Sequence, residues 1–163
     1  MKAALLRRAI NLWPPLFGSG IRITRLSADF RDAEIALRQT WLNGNRHRAH
    51  FGGSLFAMTD VGYALMIGRI MGRDYAVWDK SGEIEFVSPG RGTVRARFHL
   101  TAEKVAEIRE ATKGGAKYLP VFDVDVVDDA GKLVAKARRT IYVRQRRRAA
   151  VPLDKPGSPP ISG

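Results

Sequence analysis

Between Phe51 and Gly68, eighteen consecutive residues carry a single charge, Asp60. Leu55, Ala57, Met58, Ala64, Leu65 and Met66 favour a helix, Gly52 and Gly53 open the run, and apolar residues occupy nearly every side. Such a helix is either buried on most sides or crosses a membrane. The run is barely long enough to span a bilayer, and an aspartate near its centre would cost roughly 2.5–3.5 kcal/mol there. The pattern predicts a buried central helix around which the rest of the chain must build.

The flanking sequence supplies strands. Residues 21–30 are rich in β-branched residues, and residues 34–40 alternate well enough for a second strand. Residues 75–87 predict one long strand, bent near Ser81-Gly82 and closed by the turn Ser88-Pro89-Gly90-Arg91-Gly92. Val94, Ala96, Phe98 and Leu100 alternate with Arg95, Arg97 and His99, the signature of a half-buried strand. Residues 103–112 read as a short polar helix or an irregular segment, followed by a Lys113-Gly114-Gly115 loop. Residues 118–127 and 133–145 predict a hairpin across Asp128–Lys132. One long helix with about six strands in a mainly antiparallel meander gives an α+β class, the helix covering one face of the sheet. Ahead of this, Leu5, Leu6, Ala9, Ile10 and Trp13 fall at helical spacing and predict a short helix packed on the domain, stopped by Pro14-Pro15. Arg7, Arg8 and Trp13 would also suit a membrane surface.

At 163 residues with 45% apolar content, the chain is sized for one domain with a real core. We expect a helical leader over residues 1–20, the domain over 21–145, and a basic, Pro/Gly-rich disordered tail over 146–163. The absence of Cys excludes disulfides, thiolate metal sites and a cysteine nucleophile, and it fits a cytoplasmic protein. The net charge of +12 points first to nucleic acid or an anionic surface. About a third of that charge belongs to the C-terminal run from Arg144, however, and the rest is scattered along strand faces. With no aromatic RNA-binding motif, zinc finger or helix-turn-helix pattern, nucleic acid is not expected as a partner. His47 and His50 form an isolated H-x-x-H without a third ligand, so no metal site is expected. The first apolar run breaks after four residues, too few for a signal peptide, and no transmembrane segment is expected.

The chemistry centres on Asp60. An ionised carboxylate within an apolar helix is costly unless it is paired or functional. It follows Gly53 by seven residues, about two turns, on roughly the same face. Glycines at a helix start allow a ligand to approach N–H groups at the positive end of the dipole. Donors for an oxyanion together with a carboxylate are what acyl transfer requires. The same residues also fit a structural reading, with Asp60 bonded to a neighbouring strand and Gly52-Gly53 a tight helix start.

The stretch His50-Phe51-Gly52-Gly53-Ser54-Leu55-Phe56-Ala57-Met58-Thr59-Asp60 resembles the corresponding helix start of hotdog-fold acyl-CoA thioesterases of the phenylacetyl-CoA type. Their pattern is an Asn, then His-Gly-Gly, then an Asp seven residues after the second Gly. With Tyr75–Lys80 and Glu83–Gly92, the chain is still more similar to the hotdog family catalogued as DUF4442. The resemblance implies a curved antiparallel sheet wrapped around the long helix, in a homodimer or dimer of dimers with its site between subunits. It implies that the Gly53 N–H polarises a thioester carbonyl while Asp60 attacks or activates water, with no cofactor and no metal. Gly52, Asn45, His50, Phe51 and Arg91 are the expected substrate-binding residues, and the implied substrate is an acyl-CoA or another acyl thioester. Phe51 stands where those thioesterases carry His, and the family's Asn corresponds to Asn43 or Asn45. The alternative is a non-catalytic hotdog protein that binds acyl-CoA or acyl chains.

Overall fold

The computed structural model describes residues 2–41 and 43–146. The expected tail beyond Arg146 lies outside the described residues. In chain order the elements are α1 (Ala3–Asn11), α2 (Pro14–Ser19), β1 (Ile21–Leu26), β2 (Asp32–Arg38), α3 (Gly52–Met71), β3 (Tyr75–Phe86), β4 (Thr93–His99), α4 (Ala102–Ala111), β5 (Lys117–Tyr118), β6 (Val121–Asp128) and β7 (Leu133–Gln145). The class is α+β, with the long α3 lying on one face of an antiparallel sheet. The sheet has seven strands rather than about six. The extra one arises where Leu119-Pro120 interrupts the expected 118–127 strand, because proline cannot donate to the ladder. Pro14 and Pro15 likewise end one helix but open a second, since proline at the first helical position sacrifices only an N–H that would be unpaired anyway.

The path through the sheet is β1-β2-β4-β6-β7-β3, with β5 added beside β7. The strands after α3 therefore do not form a simple meander: β3 lies at the far edge against β7, not beside β4. The expected hairpin is present, its turn tied by Asp128 Oδ1 accepting from Ala130 N and Lys132 N, both at 2.9 Å. Inward residues of the sheet, among them Ile35, Leu37, Val94, Phe98, Val126 and Ile141, close over Met58, Met66 and Ile67 of α3. Tyr63 stacks on Phe122 with centroids 4.0 Å apart and meets Phe98 edge-on at 5.3 Å. A Cβ at Gly62 would lie 2.2 Å from the Phe98 ring, so the close approach of helix and sheet requires glycine there.

Two irregularities position the site. β3 has a bulge at Lys80, between the pairs Asp79–Ile141 and Ser81–Thr140. The extra residue shifts the alternation by one, so that Asp79 and Gly82 both face inward and Lys80 points out. The sheet's edges also differ. At the β1 edge, Asn11 of α1 donates to Ile23 O (3.0 Å) and accepts from Ile23 N (2.8 Å), occupying the groups another strand would need. The outer edge of β3 has no such cover among the described residues.

Candidate functional site

α3 begins directly after Phe51, whose own backbone is extended, so the N–H groups of Gly52 and Gly53 precede the first intrahelical bonds. Neither has an acceptor among the described residues, whereas Ser54 N and Leu55 N bond Phe51 O. The segment before the helix is held tightly. His50 N donates to Gly90 O, and Phe51 N donates to Asn43 O. Asn43 is buried, accepts from Thr40 N and donates to Ser19 O and Arg38 O. Asn45 accepts from His47 N and Ala49 N and donates to His50 O, which folds the turn leading into the helix.

The His50 ring is buried, with Nε2 3.1 Å from Gly92 O. Since a carbonyl only accepts, Nε2 carries the proton and Nδ1 is bare, with no partner among the described residues. Burial lowers the pKa of this ring, which keeps it neutral. Arg91 is exposed between Gly90 and Gly92, the two residues that hold His50.

Two aromatic rings flank the glycine pair. A Cβ at Gly53 would sit 2.3 Å from Phe51 Cε1, and one at Gly52 would sit 3.0 Å from Phe86 Cζ. Both rings remain exposed. Two depressions open beside them. One, of about 380 Å³, takes Asn45, His50 and Gly52 together with Leu55, Phe86 and Pro89. The other, of about 390 Å³, lies between α2 and α3 and takes Phe51 and Gly53 with Ser19, Asn43 and Ala57.

Asp60 stands apart from this group. At 1.5 Å per residue, seven residues separate it from Gly53 by roughly 10 Å along the helix. Its side chain is 56% exposed, so it is not the buried carboxylate that the apolar run suggests. The buried charge is Arg139 of β7, whose side chain is 4% exposed. Its guanidinium donates to Asp60 Oδ1 (3.1 Å), Phe56 O (2.7 Å) and Thr59 Oγ1 (2.9 Å) and lies over the Phe56 ring at 4.1 Å. A Cβ at Gly82 would come within 2.6 Å of Arg139 Nη1, so the missing side chain on β3 makes room for this fork.

Asp79 completes the cluster, with Oδ1 3.9 Å from Arg139 Nη1 and without a hydrogen-bond partner among the described residues. Burial, reinforced by the charge of Asp60, raises its pKa to about 7 against the opposing pull of Arg139. The site therefore contains two carboxylates in unlike settings: Asp60 solvated and ion-paired, Asp79 buried and titrating near neutrality. Arg139 was not anticipated from sequence. Its signal was present, because Ala135, Ala137, Ile141 and Val143 set the inward phase of β7 and Arg139 falls on it. The bend expected near Ser81-Gly82 carried no sign that Asp79 and Gly82 would face the same side.

Among the described residues, no helix is long and apolar enough to cross a membrane. A search of curated proteins gives no significant match. Among solved structures, the Pseudomonas aeruginosa protein PA5026, described as of unknown function and a probable thioesterase, is 18% identical with a TM-score of 0.77, over 90% of this chain and 97% of that one. Thioesterase HI1161 from Haemophilus influenzae is 15% identical with a TM-score of 0.67, over 89% and 92%. The PaaI protein of the Escherichia coli phenylacetic acid degradation operon is 18% identical with a TM-score of 0.58, over 88% and 93%. These likenesses identify the fold as the hotdog. Residues 2–143 match the model of the family described as a domain of unknown function, DUF4442, and the chain belongs to that family.

Proposed function

We propose that this protein is an acyl thioester hydrolase whose site is shared between two subunits. The observation that carries this reading is the pairing, on one helix, of free N–H donors at Gly52 and Gly53 with an exposed carboxylate, Asp60, held by the buried fork of Arg139. The separation along the helix prevents Gly53 and Asp60 of one chain from acting on the same carbonyl, so each site takes its donors from one subunit and its carboxylate from the other. Two features of the single chain support such a pair. The outer edge of β3 is open, and the α3 stripe of Gly53, Ala57, Asp60, Val61 and Ala64 is half-exposed although mostly small and apolar.

In the proposed reaction, Asp60 takes a proton from water, whose oxygen bonds to the thioester carbon. The carbonyl oxygen becomes an oxyanion on the Gly52 and Gly53 N–H groups. The C–S bond then breaks, and the thiolate leaves with a proton. Direct attack by Asp60 on the carbonyl carbon is the other form of the same chemistry. The proton that Asp60 takes from water is the one the departing sulfur needs, and Asp79, titrating near neutrality, is suited to relaying it. The substrate we favour is an acyl-CoA, with the exposed Arg91, next in sequence to Gly90 of the His50 depression, available to its phosphates.

A second reading, binding of acyl-CoA without hydrolysis, is favoured by the Phe51 ring that folds over Gly53. Thiol release from a panel of acyl-CoAs separates the two. Hydrolysis that falls at least about a hundredfold in Asp60→Asn supports the first. Saturable binding without thiol release would support the second.

A further inference from the structure

The N-terminal helix has two apolar stripes, and the fold uses only one. Ala3, Leu6 and Ile10, at spacings of three and four, turn toward the domain. Leu5, Ala9 and Leu12, at the same spacings, turn away from it, and Trp13 and Phe17 of the next segment are exposed as well. Leu5 is 58% exposed, Leu12 74%, Trp13 56% and Phe17 59%. Single exposed apolar residues are ordinary, but four within thirteen positions form a patch that needs a partner. The helix is also not free to turn the patch inward. Asn11 is doubly bonded to Ile23, and Arg7 Nη1 donates to Thr24 O at 3.1 Å.

The charge of this N-terminal segment has one sign. Lys2, Arg7, Arg8, Arg22 and Arg25 fall before the first acidic residue of the chain, Asp29. None of the five is in an ion pair among the described residues. Asp29 is bonded to Arg31, while Glu34, opposite Arg25, is bonded to Arg97. From these observations we infer that α1 and α2 dock the protein on an anionic lipid surface, with Leu5, Leu12, Trp13 and Phe17 entering the headgroup–acyl boundary and the unpaired cations of the same segment meeting lipid phosphates and carboxylates.

Charge complementarity selects this occupant. A second copy laid on the same patch would bring five cations against five, on a chain whose net charge is already +12. A nucleic acid would answer the cations but not the two exposed leucines. Lipid answers both, because an interfacial helix combines aromatic and aliphatic anchors with Lys and Arg. The inference is independent of the hydrolase reading, since no residue of the Asp60 cluster takes part.

The test is co-sedimentation of the full chain with vesicles of phosphatidylcholine alone and of phosphatidylcholine with phosphatidylserine in equal parts. Wild type is expected to sediment with the anionic vesicles and not with the neutral ones. The variant Leu5→Gln/Leu12→Gln/Phe17→Gln, which keeps every cation, is expected to lose roughly tenfold or more in affinity with its circular dichroism unchanged. Arg8→Glu/Arg22→Glu, which keeps every apolar anchor, is expected to lose roughly fivefold or more per position. Equal binding to neutral vesicles, or full binding by the apolar variant, would overturn the inference, the latter by putting the contact elsewhere on this basic chain. Wild type that ignores vesicles, while the apolar variant changes the number of subunits in solution, would assign the patch to a second copy instead.

Discussion

Replacing Asp79 with Asn should stabilise this protein, and do so only as the pH rises. Asp79 lies 17% exposed beneath α3, 3.9 Å from Arg139, with a buried oxygen that has no partner among the described residues. Its carboxyl titrates at about 7 in the folded chain instead of at the ordinary 3.8. A group whose pKa is raised by folding binds its proton more tightly in the folded state. The folded chain therefore loses stability as pH climbs from about 4 through about 7. Three units at about 1.4 kcal/mol each set an upper limit of about 4 kcal/mol across that window. Residual water access and relaxation bring the expected figure nearer 2 kcal/mol. Asn has the same shape without the titration. Urea unfolding measured at steps between acid and mildly alkaline pH should give nearly equal stabilities at the acid end and a growing advantage for Asp79→Asn above it. Parallel profiles offset by a constant would refute the reasoning, because a packing change carries no such pH dependence.

Other outcomes follow from the same geometry. Arg139→Met should cost about 2–3 kcal/mol in urea unfolding, since it strips donors from Phe56 O and Thr59 Oγ1 and leaves Asp79 without its cation. The half-exposed Asp60 rehydrates, which keeps the loss below that of a fully buried pair. Arg139→Lys should not recover it, because an ammonium cannot reproduce the fork. The glycines of α3 should behave oppositely. Gly62→Ala should destabilise by about 2 kcal/mol or more, because the Phe98 ring that the methyl meets is fully buried and cannot yield. Gly53→Ala should stay within about 1 kcal/mol of wild type, because Phe51 is exposed and alanine favours the helix. Its effect should appear instead in thioester turnover, where the displaced ring and new methyl crowd the N–H donors.

What the sequence made legible was local. The apolar run placed α3, because a helix packed on most sides announces itself by composition. Alternation placed β4, β6 and β7, whose inward residues are buried in phase. Pairing was not legible: β3 sits beside β7, an arrangement fixed by how the sheet curves around α3 and by no local signal. The bend expected near Ser81-Gly82 is present as a bulge at Lys80, but its consequence, turning Asp79 and Gly82 to the same side, depends on the partner strand. Asp60 stood out by its charge, yet an apolar neighbourhood in sequence did not mean burial in space. The charge the fold had to bury was Arg139, hidden in a run of cations where Arg138 points out and Arg139 in. Pro14-Pro15 shows the same limit, since proline marks a boundary without saying whether the next residues form a helix or a loop.

The central claim is a site built from Gly52 and Gly53 of one subunit and Asp60 of another, and subunit mixing tests it most directly. Asp60→Asn and Gly53→Val chains, each tested alone on acyl-CoA, should be nearly inactive. Unfolded and refolded together in equal amounts, they should form mixed dimers in half of the population, each with one intact site. Thiol release should then recover to roughly a quarter of the wild-type rate. Mixed dimers verified by mass that stay as inactive as their parents would contradict the shared site, and an Asp60→Asn chain that hydrolyses acyl-CoA at the wild-type rate would remove the carboxylate from it altogether.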